Sequence, residues 1–283
     1  MTYKFIINLP NRKNRLINTI SELERVGLGK NIIREYAVTP DEAYEKRYKY
    51  LSYEAIENIK NPKSTQIIPS YKALACAISH INVWKKILDL DLKYAIVVED
   101  DILIKDTEKF KIWYNNIKIN INLEKNLNNG YFVTFGSKIL NIENENENYY
   151  YYNQYTDDIS HLNIETESIE NIRSRFMSSH FYFINQNMIK YLLQNIHNLT
   201  YQIDIQIGII ASKILFSYCN EYKHHKFLNI NTNCIQQHTN YISDIQFYKI
   251  SSKKLFSILN KKYNVPLELI EKIIFFIPDI YKI

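Results

Sequence analysis

Three consecutive carboxylates, Glu99, Asp100 and Asp101, close the apolar stretch YAIVVEDDILI at residues 94–104, and no Lys or Arg stands among them. Held together at a strand end they repel one another and lose hydration, so ionising all three is costly. A hard divalent cation coordinated by carboxylate oxygens relieves that cost. In an extended strand Glu99 and Asp101 project to one face and Asp100 to the other. The chemistry this implies is magnesium or manganese on one or two carboxylates, its shell completed by substrate phosphates and water. The competing reading is a solvated strand end whose acids pair with distant Lys or Arg.

A second cluster lies in NLPNRKNR, residues 8–15, where Arg12, Lys13 and Arg15 fall at the start of an expected helix. The helix dipole disfavours cations there, and a bound anion reverses the penalty. An exposed basic face is the alternative. A cation site and an anion site at one sheet edge together suit a nucleoside diphosphate. Its phosphates are not cradled by a glycine-rich loop. The five glycines, Gly27, Gly29, Gly130, Gly136 and Gly208, allow neither GxxxxGK[ST] nor GxGxxG to be written.

The elements that must position these residues can be read from periodicity. Residues 4–9 form an apolar strand, and a helix follows with Pro10 near its first turn, a stripe of Leu16, Ile20, Leu23 and Val26, and Gly27 as its stop. A second strand is expected at 32–38 and helix over 41–60. Ser70 caps a long helix whose one face carries Ala73, Leu74, Ala77, Ile81, Trp84 and Leu88, and this helix leads into the strand at 94–98. Further strands are expected at 131–135, 180–184, 214–218 and 227–230, with helices over 187–196 and from about 203. Alternation of this kind predicts an α/β fold around a mostly parallel sheet, which places the acid triplet at the carboxyl ends of the strands, where such sheets bind ligands.

The 283 residues, 46% hydrophobic and 23% charged, are those of an ordinary globular protein with a sizeable core. Cys76, Cys219 and Cys234 form no CxxC pair, which speaks against a structural zinc site and for a reduced, cytoplasmic setting. No run approaches the roughly 20 apolar residues of a membrane span, and the opening MTYKFIINLP is too short for a signal-peptide core. A net charge of +5 without a dense basic block argues against nucleic acid as a partner. Residues 141–170 carry eight acids and no Lys or Arg in Asn/Tyr-rich sequence, an insertion or lid. The basic tail 251–283 reads as a helical extension that packs on the domain or touches a membrane surface.

INLPNRKNR, then ACAISHINVWKKI followed closely by IVVEDD, resembles glycosyltransferase family 25, which covers bacterial lipopolysaccharide and lipooligosaccharide glycosyltransferases and collagen hydroxylysine galactosyltransferases. The resemblance continues through YFVTFGS, HFYFINQNMIKYLL, the Asp of YQIDIQIG and IQQHTNYISDI, and so spans most of residues 3–246. It implies a GT-A type fold with a Rossmann-like sheet over residues 1–250, a UDP-sugar donor and manganese or magnesium. It makes Glu99 and Asp101 the metal and diphosphate motif, with His238 as a further metal ligand. Asn8, Arg15, Ser79, His80 and Asp100 would lie by the nucleotide or donor sugar, although His80, on a helix apolar nearly all round, equally suits a hydrogen-bonded core residue. The chain departs from the family pattern at Thr39–Pro40 and at Lys72, Ala73 and Leu74.

The implied reaction is transfer of a hexose, galactose or glucose, to a hydroxyl of a glycan or hydroxylysine-type acceptor. An acceptor hydroxyl activated by a carboxylate base attacks the anomeric carbon, and inversion follows from that single displacement. Asp204, at an expected helix start, is the candidate base, with helix capping as its plain structural alternative. The rival functions are a non-catalytic nucleotide-sugar or glycan-binding protein and a metal-dependent phosphoesterase, for which the chain offers few closely spaced His and Asp ligands.

Overall fold

The computed structural model describes residues 2–61, 64, 67–121, 130–135, 179–216, 226–230 and 235–237. The acidic stretch 141–170, the tail 251–283, His238, Cys219 and Cys234 lie outside the described residues.

The chain begins with β1 (Tyr3–Asn8) and α1 (Lys13–Arg25), then β2 (Ile32–Tyr36). Gly27 ends α1 for a backbone reason: at φ 78° it holds the left-handed conformation that side chains resist. Its N–H bonds Glu24 O and that of Leu28 bonds Leu23 O, the double closure of a helix whose last carbonyls are satisfied by a reversed residue. The polar stretch after β2 forms α2 (Pro40–Glu45), α3 (Arg47–Tyr50) and α4 (Tyr53–Lys60). Thr39 and Glu42 cap α2 reciprocally, and Ser52 caps α4, so the expected helix over 41–60 is interrupted where these hydroxyls claim N–H groups. Ser70 caps α5 (Tyr71–Asp89) as anticipated, and β3 (Tyr94–Glu99) follows it.

After β3 the chain turns into β4 (Ile102–Ile104) and α6 (Thr107–Ile121), two elements the apolar pattern did not announce. β5 (Tyr131–Phe135), β6 (Phe181–Asn185) and α7 (Gln186–Asn195) fall where the sequence puts them. α8 spans Ile203–Phe216, which overturns the strand expected from residue 214. The reason is spacing: Ile203, Ile207 and Ile210 recur at helical intervals and share one buried cluster, so the isoleucine run is helical despite its β-branched composition. β7 (Lys226–Ile230) and β8 (Ile235–Gln237) complete the described elements.

The main sheet runs β2-β1-β3-β6-β5-β7, and β4 pairs separately with β8. The β1–β2, β1–β3 and β5–β7 pairs are parallel, whereas β6 runs antiparallel to both β3 and β5. The sheet is thus mixed and mostly parallel, with one reversed strand at its centre. Side-chain alternation divides the core in two. Phe5, Ile7, Ala95, Val97, Tyr182 and Ile184 face α5 and its neighbours. Ile6, Ile96, Val98, Phe181 and Phe183 lie in the opposite cluster, with Leu23 of α1 and Phe110 of α6.

Candidate active site

β3 ends at Glu99, and Asp100 and Asp101 form the turn into β4. The triplet is therefore not continuous strand, as the alternation argument assumed, yet the turn still separates its members. Glu99 continues the Ala95–Val97 face toward α5. Asp100 turns toward β1 and α1, where Asn8 Nδ2 donates to its Oδ2 at 2.5 Å and Arg15 approaches its Oδ1 at 3.5 Å. Asn8 (1% exposed) also donates to the carbonyl of Arg12, and its buried Oδ1 has no hydrogen-bond partner. Arg15 is 6% exposed, so the cation read from the helix start faces inward onto a carboxylate. Burial pushes the Asp100 carboxyl up, and the bond from Asn8 and the Arg15 charge only partly oppose this.

Glu99 is held from the other side. Its N–H bonds the carbonyl of His180 at 2.8 Å. Ser179 Oγ donates to Glu99 Oε1 at 3.4 Å, and His80 Nε2 lies 3.4 Å from the same oxygen. The other His80 nitrogen, Nδ1, sits 2.9 Å from Tyr182 Oη, which also accepts from Trp84 Nε1–H at 2.8 Å. Since Trp84 can only donate, the Tyr182 hydroxyl proton is free to point at Nδ1, and that order leaves Nε2–H to donate to Glu99. Trp84, Tyr182 and His80 are all buried, and the Tyr182 ring stacks on Phe132 with centroids 4.7 Å apart. Burial raises the Glu99 carboxyl, but the hydrogen bond from His80, the neighbouring His180 and the bond from Ser179 outweigh it, and the group lies below its ordinary value.

Cys76 lies one helical turn before His80 on α5. Its thiol is pushed well up by burial and then by the negative charges of Glu99, Asp204 and Asp101. Asp204 stands in the first turn of α8, inside the helix rather than at its cap, and its Oδ1 accepts from the N–H of Ile205 at 2.8 Å. Asp101 is 6% exposed. The hard carboxylate oxygens of Glu99 and Asp101 suit magnesium or manganese. Cys76, His80 and Glu99 also offer a sulfur, a nitrogen and an oxygen within 4.8 Å of one another. Both His80 nitrogens are committed to hydrogen bonds, however, and the thiol is held protonated, so the acids are the better donors.

The structure brings Asn8, Arg15 and Asp100 together on the α1 side and His80 and Glu99 together on the α5 side, with Asp101 in the turn after β3 and Asp204 in the first turn of α8. Ser79 is buried in the helix–sheet seam, where its hydroxyl donates to Ala75 O and accepts from Val38 N–H. Neither Ser79 nor His80 reaches solvent; His80 acts on the site through Glu99. β8 ends at Gln237, paired with Ile102 next to Asp101, and His238 follows outside the described residues. Sequence reading assigned no role to Cys76, Ser179, His180, Tyr182 or Trp84. Period-two alternation from Tyr182 could have placed His180 on the α5 face, but nothing in the sequence pairs it with Glu99.

The family description of glycosyltransferase family 25 (LPS biosynthesis protein) matches residues 1–207, a span that contains every residue of this site except His238. Human procollagen galactosyltransferase 2 is 28% identical over 108 residues, which is 38% of this chain and 17% of that protein. The mouse procollagen galactosyltransferase 2 is 27% identical over 108 residues, with the same two shares. The matched stretch is therefore a small part of those much longer relatives.

Proposed function

The chain belongs to glycosyltransferase family 25, and from that premise we propose that it transfers a hexose, galactose or glucose, from a UDP-sugar to a hydroxyl of a glycan or hydroxylysine-type acceptor, with inversion. The observation that supports this most directly is the pair of networks at the end of β3, with His80 and Ser179 on Glu99 and Asn8 and Arg15 on Asp100. Family membership makes the nucleotide-sugar donor the natural ligand of that corner.

In this reading Glu99 and Asp101 hold magnesium or manganese. A cation held there would supply Lewis-acid neutralisation of the diphosphate leaving group. Asn8 and Arg15 fix Asp100 at the nucleotide end. His80, backed by Tyr182 and Trp84, holds the Glu99 carboxylate in one orientation. Asp204 takes the proton from the attacking hydroxyl. The 1–250 region acts as the catalytic domain, His238 adds to the metal shell, and the protein works in the cytoplasm, with residues 251–283 able to meet a membrane surface. Among the described residues no helix is long and apolar enough to cross one.

The test is release of UDP from UDP-galactose, UDP-glucose and their N-acetyl forms, with and without manganese. Metal-dependent release with one hexose donor is expected, and Asp101→Asn should abolish it while thermal stability stays near wild type. Turnover retained in Asp101→Asn removes the metal role. Nucleotide-sugar binding without any release favours the non-catalytic alternative.

A further inference from the structure

The polar stretch after β2 has no part in the scheme so far, yet it carries an aromatic surface. Tyr44, Tyr48 and Tyr53, on α2, α3 and α4, are 48%, 73% and 78% exposed. Exposed apolar side chains scattered singly need no explanation, whereas contiguous ones mark interaction surfaces. Two of these rings are contiguous. The Arg47 guanidinium lies 3.8 Å from the centre of the Tyr44 ring and 4.3 Å from that of Tyr48, so one flat cation joins both. Arg47 Nη1 donates to Tyr44 O at 2.7 Å, and the Tyr44 ring meets Tyr71 of α5 edge-on at 5.0 Å. The stack is thus anchored on α5 before anything binds, and little side-chain freedom remains to be lost.

Its place in the fold links it to the candidate base. The corner between α3 and α4 is stitched to the segment that leads into α8. Leu199 N–H bonds Tyr50 O at 2.6 Å, Ser52 N–H bonds Leu199 O at 3.0 Å, and Thr200 Oγ1 donates to Ser52 Oγ at 2.9 Å. Asp204 follows in the first turn of α8. Charge then selects the occupant. Residues 40–60 hold five acids, Asp41, Glu42, Glu45, Glu54 and Glu57, against four cations, Lys46, Arg47, Lys49 and Lys60. Nucleic acid and anionic lipid surfaces are drawn by an excess of positive charge, which this surface lacks. A pyranose suits it. One face of the sugar ring presents C–H bonds that lie flat on an aromatic plane, and the hydroxyls at its rim take hydrogen bonds from guanidinium and phenol.

We propose that Tyr44, Arg47 and Tyr48 form a platform for an uncharged oligosaccharide acceptor, holding its sugars while its terminal hydroxyl reaches Asp204. The inference deepens the hexosyl-transfer reading above and rests on it.

The experiment records saturation-transfer difference NMR of the full-length chain with lactose, cellotetraose and maltotetraose. Irradiating the aromatic protons of wild type should carry saturation to sugar C–H protons. Tyr48→Ala and Arg47→Gln should each weaken the binding on the order of tenfold, with melting temperatures near wild type. Ile112→Ala, at an exposed position on α6, should bind as wild type does. No binding of any of the three saccharides, or binding that survives both substitutions, overturns the platform; release of UDP from a UDP-hexose then leaves the proposed function standing. Tyr48-dependent binding of a hydroxylysine peptide or of polyuridylate in place of the saccharides overturns the choice of occupant. Saccharide binding lost in Tyr48→Ala, with no UDP released from any donor, overturns the transfer reading and the acceptor role with it. The wild-type spectrum needs no variant, so a misfolded Tyr48→Ala protein does not shelter the proposal.

Discussion

Replacing Tyr182 with Phe removes one oxygen and leaves the ring stacked on Phe132 undisturbed. That oxygen serves two partners, accepting from Trp84 Nε1–H and addressing His80 Nδ1. Both are buried beyond the reach of solvent, so the substitution orphans an indole donor and an imidazole nitrogen at once. A buried polar group left unsatisfied costs about 1–3 kcal/mol. Two such groups, less the relief of no longer burying the phenol oxygen, give a destabilisation of about 2–4 kcal/mol. The assay is urea unfolding of wild type and Tyr182→Phe at a common slope, so that the midpoint alone reports the difference. Tyr53→Phe, at a tyrosine 78% exposed, should leave the midpoint unmoved. A Tyr182→Phe loss below about 0.5 kcal/mol, the range of an inconsequential surface change, would refute the claim that this oxygen organises the network. A cycle with Trp84→Phe should show coupling of about 0.5–3 kcal/mol.

Asp204→Asn should depress turnover by roughly 100-fold or more, the scale of a positioned general base, while calorimetric UDP affinity stays near wild type; loss of both would mean structural damage. Gly27→Ala should cost about 1–2 kcal/mol by thermal melting, because the added Cβ meets nothing within 4 Å and the φ of 78° is the whole penalty. Glu42 is held below its ordinary 4.5 chiefly by hydrogen bonds from the Thr39 backbone and side chain. A carboxyl lowered in the folded state stabilises above its unfolded value, and that support is lost as pH falls through the folded one. Wild type should therefore lose to acid, below about pH 4.5, a small increment that Glu42→Gln has already lost. Equal acid slopes for the two proteins would contradict this.

Much of the architecture was legible because local physics wrote it in short stretches. Ser70 and the apolar stripe of residues 73–88 announced α5, Gly27 announced the end of α1, and YAIVV announced β3. The acid triplet stood out because three adjacent carboxylates at an apolar strand end need a reason. The helix expected from about residue 203 is present, but it runs to Phe216 and so takes up the start of the strand expected near 214–218. Neither β4 nor α6 was foreseen, since a three-residue strand has too few positions to display alternation.

The sequence by itself determined most of the element types, the strand end that carries the acids and the resemblance to the family, all properties of neighbours along the chain. Only the tertiary structure decided who faces whom. Glu99 meets His80 across 19 residues and His180 across 81, and Asp100 meets Asn8 across 92. Pairings of that range follow from strand order and from the reversal of β6, and no periodicity records them. A histidine in an apolar strand thus reads as core until the antiparallel register sets its ring against a carboxylate.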